Sequence, residues 1–255
     1  MRATILGTGD ALGMPVPLCE CRYCTDTETR RRPGLLVESD DTSIVFDAGP
    51  DLREQLVQTG QKEIDAFFIT HGHDDHLAGV LDLQKLWAFT DQDVMVRASD
   101  PVLTYANERF PWLSFPTSRF EPGDEARHGP LTVSAFPVEH STTFPEQGYV
   151  ISDGDRDVVY VPDLRGFGET TIYEGADLLF VDGLYFFGKV FQDDDDHAGP
   201  EQLRSEIESA GADRVVLLNV SEHHHQATTE TLRERAGDYE LWSDFESVTL
   251  GTSSG

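Results

Sequence analysis

The chain has 255 residues, 38% of them hydrophobic, and a formal net charge of −28 from 47 acidic against 19 basic side chains. That length supports one substantial core, while no apolar run approaches the roughly 18 residues that a membrane span needs. So strong a negative charge repels nucleic-acid phosphates at ordinary salt, which argues against a nucleic-acid binder.

The opening ATILGTG (3–9) reads as a short strand running into a glycine turn, with no export signal ahead of it. All three cysteines, Cys19, Cys21 and Cys24, fall in LCECRYC (18–24). Clustered and without partners elsewhere, they argue against a disulfide framework and for a reducing interior, so the expected location is cytoplasmic. The scattered arginines Arg22, Arg30, Arg31 and Arg32 offer a phosphate contact, although TRRRPG (29–34) reads as easily as a surface turn. GLLVESD (34–40) and TSIVFDAG (42–49) are two strands joined by a hairpin at Asp40-Asp41. EIDAFFIT (63–70) is a further β-rich run that stops at Thr70. Apolar residues at Leu77, Val80, Leu81, Leu83, Leu86 and Trp87 predict a helix over 77–89. DVMVRA (93–98) is a strand, and Asp100-Pro101 starts a helix through Asn107.

In the second half, 131–138, 147–153, 156–163, 176–182 and 213–220 read as strands, with helices at 169–175, 200–211 and 228–237 and a last strand at 246–251. The run Asp193 to Asp196 reads as a solvated loop without a role. Strands lead and helices follow in each half, which suggests an α/β (α+β) architecture of two sheets packed face to face with helices outside, in one domain over 1–255.

Directly after the strand at 63–70 comes THGHDDH (70–76), with His71, His73, Asp75 and His76. Loops at strand ends aim several side chains at one point. Here His71 and His73 suit one ion, and Asp75 and His76 a neighbouring one. Imidazole with carboxylate suits zinc, manganese or iron, and a pair of such ions clamps a phosphoryl group. A histidine-rich surface loop is the bland alternative, and this spacing rarely arises by accident.

His-x-His-x-Asp-His after a strand resembles the metallo-β-lactamase superfamily. Further positions follow in the family's order: Asp47 in FDAG, His140 in PVEHST, Asp163 in YVPD and His197 in DDDHAGPEQL. The resemblance covers Gly7 to Gly251 and implies a four-layer αββα sandwich. It implies that Asp47 braces the site, that His71, His73 and His140 hold one metal, and that Asp75 and His76 hold another. Asp163 is then the bridging carboxylate and His197 the proton donor to the leaving group.

GTGDALGMP followed by Cys-x-Cys-x-x-Cys is similar to the PhnP-like branch, the phosphoribosyl cyclic phosphate phosphodiesterases. There the three cysteines and a late histidine hold a structural zinc, and a closed Cys3His set leaves no position open for substrate. The late histidine falls in VVLLNVSEHHHQ, where His223, His224 and His225 are all available and His223 is taken as the ligand. The same segment departs from the family, with Leu218-Asn219 where Thr-His binds the second metal. Asparagine offers an oxygen to a hard ion but is a poor zinc ligand. Weak ligation by Asn219, a histidine of 223–225 swinging in, and a loosely held or absent second ion all stay open.

The resemblance thus implies two catalytic divalent metals (zinc or manganese, the second uncertain), one structural zinc, and hydrolysis of a small cyclic phosphate ester through a metal-bound hydroxide. It also implies a homodimer and no membrane partner. The rivals are a tRNA 3′-processing nuclease, for which no basic arm is visible, a thioester hydrolase, and a non-catalytic binding relative. A lysine content limited to Lys62, Lys85 and Lys189 in so acidic a chain resembles proteins of salt-accumulating archaea.

Overall fold

The computed structural model describes residues 1–141, 144–168, 171–191 and 193–251. The first half builds β1 (Arg2–Gly7), α1 (Arg22–Thr25), β2 (Gly34–Ser39), β3 (Thr42–Phe46), α2 (Leu52–Thr59), β4 (Ala66–Phe68), α3 (Asp74–Leu77), α4 (Val80–Phe89), β5 (Val96–Ala98), α5 (Asp100–Arg109) and β6 (Thr117–Arg119). The second half adds β7 (Glu125–His128), β8 (Leu131–Val138), β9 (Glu146–Ser152), β10 (Asp157–Val161), β11 (Leu178–Asp182), α6 (Pro200–Ala210), β12 (Val215–Leu218), α7 (Glu222–His225), α8 (Thr229–Ala236) and β13 (Ser247–Thr249).

One sheet runs β13-β1-β2-β3-β4-β5-β6 and the other β12-β11-β10-β9-β8-β7. Alternate residues of each strand point to opposite faces, and both faces are apolar. Val37, Phe46 and Phe68 of the first sheet meet Tyr149, Tyr160 and Phe180 of the second in one buried layer. On the outer face of the first sheet, Leu36, Val45 and Phe67 pack on Leu52, Leu83 and Val102 of the helices. On the outer face of the second, Val159, Val181 and Leu217 pack on Leu203, Ile207 and Leu232. This is the expected αββα arrangement of helix, two sheets and helix.

Local differences have physical reasons. The expected helix at 77–89 is two pieces, α3 and α4, broken at Ala78-Gly79 where the chain docks on the turn after β3. Gly79 donates its N–H to Ala48 O at 2.7 Å. A Cβ at Gly79 would lie 2.3 Å from Gly49 O, and one at Gly49 would lie 2.1 Å from Asp75 O. Only glycine permits that close approach. Of the helix expected at 169–175, residues 169 and 170 lie outside the described residues, and 172–175 form turns instead. Helix α2 and strands β6 and β7 carried too little apolar periodicity to be read.

Strands β3, β4, β5 and β6 run parallel, as do β10, β11 and β12. Parallel neighbours bring their C-terminal ends to one edge, and the candidate site is built from the residues that follow β3, β4, β8, β10, β11 and β12.

Candidate active site

Asp47 follows β3 in the left-handed region, with φ 63°. A non-glycine residue there is uncommon, and four hydrogen bonds hold it. Its Oδ1 accepts from the backbone N–H and hydroxyl of Thr70, both at 2.9 Å. Its Oδ2 lies 2.7 Å from His76 Nδ1 and accepts from the Tyr160 hydroxyl at 3.0 Å. Thr70 Oγ1 is in turn 3.0 Å from His71 Nδ1. One carboxylate therefore orients His76 directly and His71 through Thr70, and both rings turn Nε2 toward the site. Such partners fix a ligand's tautomer and orientation.

Two clusters of ligand-type atoms result, and they share Asp163. In the first, His71 Nε2 is 3.0 Å from His73 Nδ1 and 3.2 Å from Asp163 Oδ2. His140 Nε2 lies 3.4 Å from His73 Nδ1 and 3.6 Å from Asp163 Oδ2. In the second, His76 Nε2 is 3.3 Å from Asp75 Oδ2 and 3.2 Å from Asp163 Oδ2. Ligands about 2.0–2.1 Å from a tetrahedral ion stand roughly 3.4 Å from one another, so the spacing fits a cation in each cluster.

The electrostatics fit as well. Burial, followed by the neighbouring His76, pushes the pKa of His71 down to about 3, which leaves its lone pair free to coordinate. Burial also holds His140 below its ordinary value. At His76, burial is outweighed by Asp75, Asp163 and Asp47, which raise its pKa well above the usual range. That is the pull toward positive charge that a cation satisfies. His76 Nε2 has no hydrogen-bond partner among the described residues although carboxylate oxygens face it.

His140 is positioned from an unexpected quarter. Its Nδ1 lies 2.8 Å from the backbone oxygen of Asp196. The acidic run read as a solvated loop without a role thus supplies the group that turns His140 Nε2 inward, because the loop folds back to His140.

Asp182, the last residue of β11, was not read from the sequence as functional. It is 1% exposed, accepts from the backbone N–H of Leu164 at 3.1 Å and of Leu184 at 2.8 Å, and lies 2.6 Å from His197 Nδ1. Burial disfavours the charged imidazole, but Asp182, aided by Asp163 and Asp194, outweighs it and raises the pKa of His197 to about 10. The available signal was an aspartate closing an apolar strand (LLFVD), as in IVFD and YVPD. Glu146 was missed too. Its Oε2 is 3.7 Å from His71 Nδ1, and burial, then Asp163, raises its pKa well above the carboxylate range.

His73, Asp75, Asp163, His197 and Asn219 border one cavity of about 560 Å³, together with Leu12, Tyr105, Phe144, Phe191 and His224. Its acidic lining is Asp10, Asp74, Asp75, Asp163 and Asp194, against Arg109 as the one arginine or lysine among the described residues there.

The cysteines form a separate cluster. Cys19 and Cys21 Sγ lie 3.4 Å, and Cys24 Sγ 3.5 Å, from His223 Nδ1. These contacts match the separation of thiolate and imidazole on one tetrahedral zinc. Of the other two histidines, His224 Nδ1 lies 2.8 Å from Asp10 Oδ2, and His225 packs on Phe187. Arg30 belongs neither to a surface turn nor to a phosphate site. It is 2% exposed and donates to Glu222 at 2.8 Å, Thr8 at 2.8 Å and Trp242 O at 3.0 Å, tying the β1 loop to α7 beside the cysteines.

Comparison with known proteins agrees with this architecture. The chain is similar to an octanoyltransferase of Porphyromonas gingivalis, 28% identical over 249 residues, which cover 91% of this chain and 49% of that protein. It is similar to ribonuclease Z of Haloferax volcanii, 29% identical over 202 residues, which cover 72% of this chain and 58% of that one. The chain thus spans about half the length of these curated relatives. A crystal structure of a diphosphatase from the PhnP family shares the fold, with a TM-score of 0.83, 23% identity and 98% of both chains covered. Residues 42–218 match the β-lactamase superfamily domain, and the chain belongs to that superfamily.

Proposed function

We propose that the chain is a single-domain, metal-dependent phosphodiesterase acting on a small phosphate ester, with a ribose or nucleoside cyclic phosphate as the substrate class. The observation that carries this reading is His197, held by a buried aspartate on the wall of the cavity that contains Asp163 and Asp75. A proton donor across from a metal cluster is what an alkoxide leaving group requires.

His71, His73, His140 and Asp163 would hold one ion, and Asp75, His76 and Asp163 the other, with Cys19, Cys21, Cys24 and His223 holding a structural zinc. When bound, the catalytic pair supplies Lewis acidity, activating water near neutral pH and stabilising charge on the phosphoryl oxygens. The protein's own residues do the rest. Asp47 and Thr70 fix the imidazoles, the Asp196 carbonyl fixes His140, and Asp182 keeps Nδ1 of His197 engaged so that Nε2 presents the proton. Tyr105, Phe144 and Phe191 give the mouth of the cavity apolar walls that flank the non-reacting part of an ester.

The acidic lining supports a small substrate over a polynucleotide, whose phosphates would meet five aspartates and one arginine among the described residues. The reading includes a cytoplasmic, salt-adapted homodimer with no membrane partner. No helix among the described residues is long and apolar enough to cross a membrane.

The test is hydrolysis of bis-p-nitrophenyl phosphate in molar KCl with added manganese or zinc, wild type against His73→Ala. Metal-dependent turnover that disappears in the variant supports the reading. Absence of turnover with any metal, in folded protein that keeps zinc on its cysteines, sinks it.

A further inference from the structure

Asn219 follows β12 with φ 56°, in the left-handed region that asparagine tolerates better than most side chains. It is 4% exposed. Its Nδ2 donates to Pro162 O at 2.8 Å and to Asp163 Oδ1. Both partners are pure acceptors while Asp163 is ionised, so the network settles which way the amide points. A flipped amide would set Oδ1 against two oxygens. Oδ1 is therefore the atom left over, and among the described residues it is buried without a hydrogen-bond partner. A buried amide oxygen in that state is destabilising unless something fills the role.

Asn219 borders the active-site cavity together with Asp75 and Asp163, which with His76 form the second cluster. The two clusters therefore differ in chemistry. The first offers the imidazoles of His71, His73 and His140 with one carboxylate. The second offers the imidazole of His76 with the carboxylates of Asp75 and Asp163, and Asn219 brings an amide oxygen to the cavity that Asp75 and Asp163 line. Imidazole-rich sets suit zinc, whereas carboxylate and carbonyl oxygens suit manganese and magnesium.

We infer that Asn219 makes the second site a hard-cation site, so that the centre takes unlike ions: zinc among His71, His73 and His140, and manganese at Asp75, His76 and Asp163 with Asn219 Oδ1 as a ligand. The amide also holds Asp163 Oδ1, leaving Asp163 Oδ2 to face both clusters. This inference rests on the two-ion reading of the site but not on the identity of the substrate.

Manganese binding read by electron paramagnetic resonance tests it without turnover. Protein carrying zinc at the cysteine cluster and the first site is loaded with manganese and then titrated with zinc. Zinc outcompetes manganese at most nitrogen and oxygen sites, so the informative quantity is how much zinc displaces it. In wild type that concentration is expected to exceed that of Asn219→His by about 10-fold or more. Equal displacement in the two proteins, or no manganese bound by wild type, overturns the inference.

Asn219→Ala, which removes the oxygen without adding bulk, should weaken manganese binding by about 10-fold. Unchanged affinity there also overturns it, whether or not Asn219→His folds. Zinc retained at the cysteines reports folding in each variant. Selective manganese binding without hydrolysis of bis-p-nitrophenyl phosphate would overturn the phosphodiesterase reading while leaving this one standing.

Discussion

Asp182 Oδ2 lies 2.6 Å from His197 Nδ1 across fifteen residues of sequence, and the same carboxylate accepts from the backbone N–H groups of Leu164 and Leu184. The carboxylate cannot swing away without orphaning buried donors, so the imidazole is held in one orientation, on the wall of the active-site cavity.

His197→Ala should lower kcat by about 10²- to 10⁴-fold for esters with alkoxide leaving groups, the usual contribution of a positioned general acid. The loss should be much smaller for p-nitrophenyl esters, whose leaving group departs without a proton. The check is the ratio of kcat values for the two ester types in wild type and variant. An equal loss on both would assign His197 to holding the site's shape rather than to proton transfer.

Asp47 gathers two donors from Thr70 together with His76 and Tyr160. Asp47→Asn keeps the size and tolerates the backbone conformation, but it turns an amide NH2 toward groups that need an acceptor. The expected cost is roughly 3 kcal/mol in urea unfolding, accompanied by lower metal content in the active site. A variant with wild-type stability would show that the braced imidazoles are held by packing alone.

At the cysteine cluster, Cys24→Ser should release one zinc, measured by metal analysis after gel filtration, and lower Tm by roughly 5–10 °C, equivalent to ~2–3 kcal/mol in a domain of this size. The active-site metals should stay, because the two clusters share no ligand. Loss of all metal together would mean that the cysteine cluster is a condition for forming the active site.

Glu240 gives a pH-dependent prediction away from both clusters. Hydrogen bonds from Arg214, opposed by partial burial and joined by one from Trp242, lower its pKa below the ordinary value. A carboxylate with a depressed folded-state pKa stabilises the protein above its unfolded pKa, and that stabilisation is lost as pH falls through the folded value. Glu240→Gln should therefore unfold more easily than wild type near pH 6, and the gap should close below about pH 4. Thermal unfolding of both proteins across that range checks it, and a gap that widens on acidification would contradict the assignment.

What the sequence determined by itself was whatever is local and chemically exclusive. THGHDDH brings several ligand types within seven positions after a strand, and three cysteines within six, patterns few demands other than a metal produce. Short continuous apolar runs likewise made the two sheets legible, since a strand buried on both faces has to be apolar throughout. Tertiary structure decided what depends on elements far apart in the chain: Asp182 beneath His197, the Asp196 carbonyl behind His140, His223 rather than its neighbours against the cysteines, and Arg30 buried on Glu222. An aspartate at a strand end looks the same in sequence whether it faces water or a histidine, and three adjacent histidines differ only in the direction that α7 gives each ring. The amide of Asn219 is the sharpest case. Its identity marked the second site as different, but which of its atoms is left free is fixed by Pro162 and Asp163, which reach it only when β10 and β12 end at the same edge of the sheet.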